Sequence, residues 1–146
     1  MSSFICGPQA ALAAVQRVAP EIATAYLTAQ QPFMDNILAH ENSSPWNAGL
    51  HVSQFGCSVP KMINSAANAT AGAIWSPCSN DIDAASVEAA HTLGLKVVVW
   101  TVNTEADMRR MITLGVDGII SDYPNVLRRV AGEHGCALPP ATPVSP

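Results

Sequence analysis

Charge is scarce in this chain of 146 residues: charged side chains make up 12% of it, against about a quarter in ordinary globular domains. Seven Lys and Arg against eleven Asp and Glu leave a net charge of -4. That balance excludes a nucleic-acid partner, which needs clustered basic residues to neutralise phosphates. Arg109-Arg110 and Arg128-Arg129 are the nearest approach to a basic cluster. Each pair falls on a predicted helix and reads as a solvated outer face. Long apolar runs are missing as well. No segment approaches the roughly 18 consecutive apolar residues of a membrane span, and residues 10–15 are too short for a signal core and are followed by Arg17. Four cysteines, Cys6, Cys57, Cys78 and Cys136, stand far apart without a Cys-x-x-Cys. This argues against a metal cluster or a dense disulfide scaffold and for reduced or buried thiols; such thiols lean toward the cytoplasm and leave the compartment open.

What is abundant is apolar: 49% of residues are hydrophobic, consistent with elements meant to be buried on more sides than this chain can cover. Gly7-Pro8 opens a helix to about Val18, with Ala11, Leu12, Val15 and Val18 on one face. A strand is expected over 22–27. Residues 28–60 read as a long loop broken by prolines and glycines, with a helical turn or two within 33–40 and with Trp46 and Phe55 packing it down. Connections of this length are usually functional loops or family insertions. A helix over 59–67 leads to a short strand at 73–75. Asp83 is a natural N-cap for a helix over 84–93, and Gly94 a natural stop. Thr104 and Asp107 resemble a capping box at the next helix, whose apolar stripe is Met108, Met111, Ile112 and Leu114.

Two segments carry the clearest pattern. Residues 94–103 run from Gly94 through Val97-Val98-Val99 into Trp100-Thr101-Val102-Asn103; residues 115–124 run from Gly115 through Ile119-Ile120 into Ser121-Asp122-Tyr123-Pro124. Each is a short apolar strand ending in polar or aromatic residues, and one amphipathic helix separates them. That alternation predicts parallel strands joined by right-handed crossovers, as in a (β/α) TIM-type barrel, whose chemistry sits at the C-terminal strand ends. The β-branched run over 96–102 suits a strand covered on both faces.

At these residues the chain resembles the glycerophosphodiester phosphodiesterase family. Late in that family a hydrophobic run enters Trp-Thr-Val-Asn, followed by Gly-Val-Asp-Gly-Ile-Ile-Thr-Asp-x-Pro; here only Ser121, in place of Thr, departs. Ser3-Phe4, the passage from Ala19-Pro20-Glu21-Ile22 to Tyr26-Leu27-Thr28, and Trp75-Ser76-Pro77 extend the resemblance in order along the chain. The fold it implies is the C-terminal half of the barrel over residues 1–138, an α/β unit of parallel strands and outer helices, with 139–146 an irregular Pro-rich tail. A complete barrel needs roughly 250 residues, so the chain is expected to be a fragment or a product begun at an internal Met.

The resemblance implies hydrolysis of a small glycerophosphodiester to an alcohol and glycerol 3-phosphate, with a divalent cation, calcium or magnesium, held by carboxylates and two histidines as acid and base. The family's His-Arg-Gly, Glu-x-Asp, His-Asp and Glu-x-Lys motifs do not occur here, and His40, His51, His91 and His134 match none of them. No catalytic or metal-ligating residue is therefore assigned and no cation is expected on this chain alone. Trp100, at the mouth of a strand, and Phe4, at another strand end, are assigned to the substrate pocket. Asp122 and Asn103 are expected to brace loops, as Asp83 caps its helix; Asp81 is a further carboxylate near a strand end. Self-association is expected through exposed barrel edges and an interior lined by Val97, Val99 and Ile119. The alternative function is a non-catalytic half-barrel that binds a partner or a phosphodiester.

Overall fold

The structure, a computed structural model, describes residues 4–5, 9–40, 44–47, 49–68 and 73–140. Five strands form one parallel sheet in the order β1-β2-β5-β6-β7: β1 Phe4–Ile5, β2 Thr24–Thr28, β5 Ile74–Pro77, β6 Lys96–Val99 and β7 Gly118–Ile119. The helices are α1 Gln9–Val18, α2 Val59–Ala66, α3 Ala84–Thr92, α4 Glu105–Leu114 and α5 Pro124–Glu133. A parallel sheet with helical crossovers and two open edges, β1 and β7, is a partial TIM-type barrel. Of the tail, residues 139 and 140 carry no regular structure and the remainder lies outside the described residues.

Local chemistry sets the helix boundaries as read from the sequence. Asp83 accepts the Ser86 N–H at 2.8 Å, Thr104 accepts the Asp107 N–H at 3.1 Å, and Gly115 adopts φ 79° past α4, where an L side chain would be strained. One cap differs from expectation. The Asp107 carboxylate takes the Thr104 hydroxyl at 2.6 Å rather than reaching back to the Thr104 backbone, because Asp is one methylene shorter than the Glu of a reciprocal box.

The stretch expected to be a helical turn is an antiparallel hairpin, β3 Gln30–Gln31 with β4 Met34–Asp35. Asn36 makes it possible by closing the turn onto β2: its amide oxygen accepts the Ala29 N–H at 2.9 Å and its amide nitrogen donates to the Leu27 carbonyl at 3.0 Å. Two 3-10 turns, Pro45–Asn47 and Val52–Phe55, follow among the described residues of the connection. Phe55 packs against the core as expected, whereas Trp46 is exposed.

Register decides which side of the sheet is buried. Tyr26 lies opposite Trp75 and Trp75 opposite Val97, so the three share a face. The Tyr26 hydroxyl reaches Gln16 of α1 and the Ala66 carbonyl of α2, which identifies this as the helix side. Met62 and Ile63 of α2, Val87 and Ala90 of α3 and Met108 and Met111 of α4 complete the core there. Burial of large side chains such as Trp75 and Tyr26 contributes about 1.5–3 kcal/mol each. Val97 and Val99 are fully buried on this side, and Ile119, paired with Val99, packs against the same core. They therefore do not line an open interior. Alternation along the strands turns Leu27, Ser76, Val98 and Trp100 to the opposite face, where Leu27, Val98 and Trp100 are only partly covered. Gly118 belongs to that face; a Cβ there would meet Val98 at 3.2 Å, so glycine lets the two strands close.

At the other end of the strands, Asp117 ties three elements together. Its carboxylate accepts the Val97 N–H at 2.8 Å and pairs with His91 of α3 at 2.9 Å. Partial burial pushes its pKa up, but the Val97 N–H, His91 and Lys96 outweigh that and hold it below the usual carboxylate range. A depressed carboxylate adds stability above its unfolded pKa of about 3.9, and loses it as pH falls through the folded value. Asp117→Ala should cost about 1–3 kcal/mol in denaturant unfolding, the Val97 N–H losing its partner. Its stability should also fall less steeply than the wild type's below about pH 4. Parallel pH profiles of the two proteins would show that Asp117 carries none of the acid sensitivity.

Candidate active-site face

The C-terminal ends of β5, β6 and β7 form one rim, and Trp100 stands on it. Its backbone N–H donates to the Pro77 carbonyl at 3.2 Å and its carbonyl accepts the Ser79 N–H at 2.8 Å. Its indole Nε1 donates to the Ser76 carbonyl at 2.8 Å, so the ring leans across β5 while remaining partly exposed. The peptide bond between Trp100 and Thr101 is cis. Trp100 is thus an indole held by both strands on the face away from the helices. Phe4 sits in β1 as a strand residue; its side chain lies outside the described residues.

Asn103 knits the rim. Its amide oxygen accepts the Asp122 N–H at 3.0 Å and the Ser121 hydroxyl at 3.3 Å, and its amide nitrogen donates to the Asp122 carboxylate at 2.8 Å. The Ser121 hydroxyl also accepts the Tyr123 N–H at 3.0 Å, so serine performs this bonding without the methyl group of Thr. Asn103 and Asp122 are the loop braces their sequence positions indicate. Asp81 also braces: one carboxylate oxygen accepts the Gln30 N–H at 2.8 Å and the other the Gln31 amide, which latches the β3–β4 hairpin to the loop after β5. Arg110, read from the sequence as a solvated cation, donates to the Ser79 carbonyl at 2.9 Å and supports that loop from α4. Nothing in its sequence neighbourhood signals this, because the contact spans 31 residues.

Among the described residues no histidine is seen bonded to Trp100, Asn103 or Asp122. His91 pairs with Asp117 at the opposite end of the strands, His134 bonds the Val130 carbonyl at the end of α5, His40 is exposed, and His51 caps a 3-10 turn through Nδ1. Among the described residues no three His, Cys, Asp or Glu side chains come together. The rim carboxylates Asp81 and Asp122 are already occupied by amide donors. Among the described residues the donors present do not fit a divalent cation. Cys57, Cys78 and Cys136 are free thiols, Cys78 buried and the other two exposed, and Cys6 lies outside the described residues.

A family model, the glycerophosphoryl diester phosphodiesterase family, matches residues 10–126. The chain belongs to that family. Among solved structures, the Silicibacter pomeroyi protein assigned as a glycerophosphoryl diester phosphodiesterase superposes with a TM-score of 0.67 at 34% identity, over 88% of this chain and 37% of its own. An Oleispira antarctica phosphodiesterase, solved with its product sn-glycerol-3-phosphate, gives a TM-score of 0.51 at 20% identity over 84% of this chain and 38% of its own, a likeness of fold. A glycerophosphodiester phosphodiesterase of Caldanaerobacter subterraneus is 45% identical over 49 residues, 34% of this chain and 20% of that protein. The chain spans well under half the length of these relatives.

The Asn103 brace makes a local forecast. Asn103→Ala should accelerate amide exchange at Asp122 and Tyr123 about fivefold or more, with a global loss near 1 kcal/mol, the net worth of an ordinary hydrogen bond. Hydrogen-exchange mass spectrometry reads both; unchanged exchange at those amides would make Asn103 a bystander.

Proposed function

We propose that residues 1–138 form the C-terminal half of a glycerophosphodiester phosphodiesterase barrel. The complete barrel hydrolyses a small glycerophosphodiester to an alcohol and glycerol 3-phosphate, and this half contributes the pocket wall, with the acid, base and cation-holding groups supplied elsewhere. The observation that supports this reading best is Trp100: a partly exposed indole at a C-terminal strand end, anchored through Nε1 on the face away from the helices. That is where barrels of this type put their reacting groups. An indole there gives a flat apolar surface for the carbon side of a glycerol unit, leaving its hydroxyls free for polar partners. Phe4 stands apart from this wall: β1 is three places from β6 in the sheet, and Phe4 pairs with Thr24 at the amino end of β2. The divalent cation of the family belongs to the complete barrel: it would neutralise phosphoryl oxygens while an acid protonates the leaving alkoxide.

Glycerol 3-phosphate release from glycerophosphocholine, with calcium or magnesium, is the assay. The chain alone should release none, whereas mixing it with the N-terminal half of the Silicibacter protein should give chelator-sensitive release. Chelator-sensitive turnover by the chain alone would overturn the division of labour.

In that mixed enzyme Trp100→Ala should lower kcat/KM about tenfold or more, in the range of a lost apolar substrate contact of 1–3 kcal/mol, while the melting temperature changes little. Intact kinetics with a large fall in melting temperature would assign the indole to structure.

The open edges β1 and β7 carry unpaired backbone groups that favour pairing with another chain, so association is proposed to run through them rather than through Val97, Val99 and Ile119. Sedimentation at micromolar concentration should show dimers or larger species that Pro substitutions at Gly118 and Ile119 reduce. A monomer with one sharp unfolding transition would refute it.

A further inference from the structure

Trp100 is fastened to the end of β5 at three points, and they are held in different ways. Two lie on the strand itself: the indole Nε1 donates to the Ser76 carbonyl at 2.8 Å and the backbone N–H to the Pro77 carbonyl at 3.2 Å. Ser76 and Pro77 are fixed in turn by their pairing with Leu27 and Thr28 of β2. The third point is the Ser79 N–H, which donates to the Trp100 carbonyl at 2.8 Å from beyond the end of the strand. Pairing with β2 no longer holds the chain there.

Arg110 does. Its Nη2 donates to the Ser79 carbonyl at 2.9 Å, so Ser79 gives its N–H to Trp100 and its carbonyl to Arg110, with the two soft torsions of a single residue between the bonds. Ser79 is buried, where a carbonyl without a donor is costly, and a charged donor makes the stronger kind of bond. The guanidinium keeps its proton at every working pH. Its ion pair with Asp107, at 3.6 Å on the surface of α4, is of the exposed kind that contributes little, which leaves the Ser79 carbonyl as its firm partner. The bond also closes a circuit of chain. From Trp100 the chain enters the Thr104 cap of α4, and within about two turns Arg110 reaches back to the residue that holds Trp100.

We propose that Arg110 is a positioning residue for the substrate wall: acting through Ser79, it sets the direction of the Trp100 indole from α4. This rests on the reading of Trp100 as that wall. Asp81 serves another part of the same loop, where its carboxylate holds the hairpin at Gln30 and Gln31, whereas Arg110 acts on the residue bonded to Trp100 itself.

The test uses the full chain, nitrogen-15 labelled, and reads two signals: the indole N–H resonance of Trp100 and the exchange rate of the Ser79 amide. Arg110→Met keeps the apolar stem and removes the donors, and Arg110→Lys returns one charged donor. Arg109→Met is the control, since Arg109 pairs with Glu105 and Glu133 on the outer surface of α4 and α5. Arg110→Met should shift the Trp100 indole resonance and speed exchange at Ser79 about fivefold or more, and Arg110→Lys should return both signals toward the wild type. The Trp75 indole, bonded to the Thr28 hydroxyl in the core, should stay where it is, and Arg109→Met should move neither signal. Unmoved signals in Arg110→Met, equal changes in Arg109→Met, an equal shift of the Trp75 indole, or no recovery in Arg110→Lys would each overturn the proposal. Both signals are read without substrate, so a displaced Trp100 indole in a barrel that never hydrolyses a diester would fault the hydrolytic reading and leave the role of Arg110 standing.

Discussion

The parallel pairing of β2, β5 and β6, with Tyr26, Trp75 and Val97 in register, is the constraint on which the rest of this structure depends. A parallel strand cannot return by a tight turn, so each crossover places a helix over the sheet. The residues level with one another must then be apolar together. Here they are, and α1, α2, α3 and α4 close on that one face. A slip of one residue in any of these strands would exchange its buried face for its open one. The indole of Trp75 also donates to the Thr28 hydroxyl at 2.9 Å, so the register is fixed by a polar bond as well as by apolar packing.

The C-terminal end of β5 is where this framework becomes a site. Trp100 hangs from it through Ser76, Pro77 and Ser79. Asp81, four residues past the strand, latches the hairpin that follows β2. Arg110 supports the same loop from α4. Contacts from β2, β6 and α4 thus converge on about six residues, which makes the rim rigid although most of its elements are loops. Rigidity of this kind keeps an aromatic wall where a substrate needs it, because a displacement of about 1 Å can cost a hundredfold in rate. The trough lined by Thr28, Gln30, Asn80 and Asp81 opens beside the same loop.

Legibility followed the range of the interactions. Helices α3, α4 and α5 stand where their caps and apolar spacing put them, because Asp83 with Ser86, Thr104 with Asp107 and Pro124 act within one turn. The strand β6 and the role of Asn103 as a brace were equally plain. The hairpin Gln30–Asp35 was not, since its turn depends on Asn36 folding back onto Leu27 and Ala29 and on Asp81 fifty residues away. The side to which the valines of β6 point was misjudged for a related reason: Val97, Val98 and Val99 are all apolar, so the sequence holds no alternation from which a face can be read.

The sequence by itself determined the family, the parallel α/β architecture, the helix limits and the placing of an indole at a strand end, because these rest on local propensity, capping and the period of apolar residues. Tertiary structure alone decided that Val97 and Val99 turn toward the helices and Trp100 away from them. It also decided that Asp81 is a latch and Arg110 a support. Each of these depends on inter-strand register or on contacts across 20 to 50 residues of chain, and no local pattern encodes which distant atoms will meet.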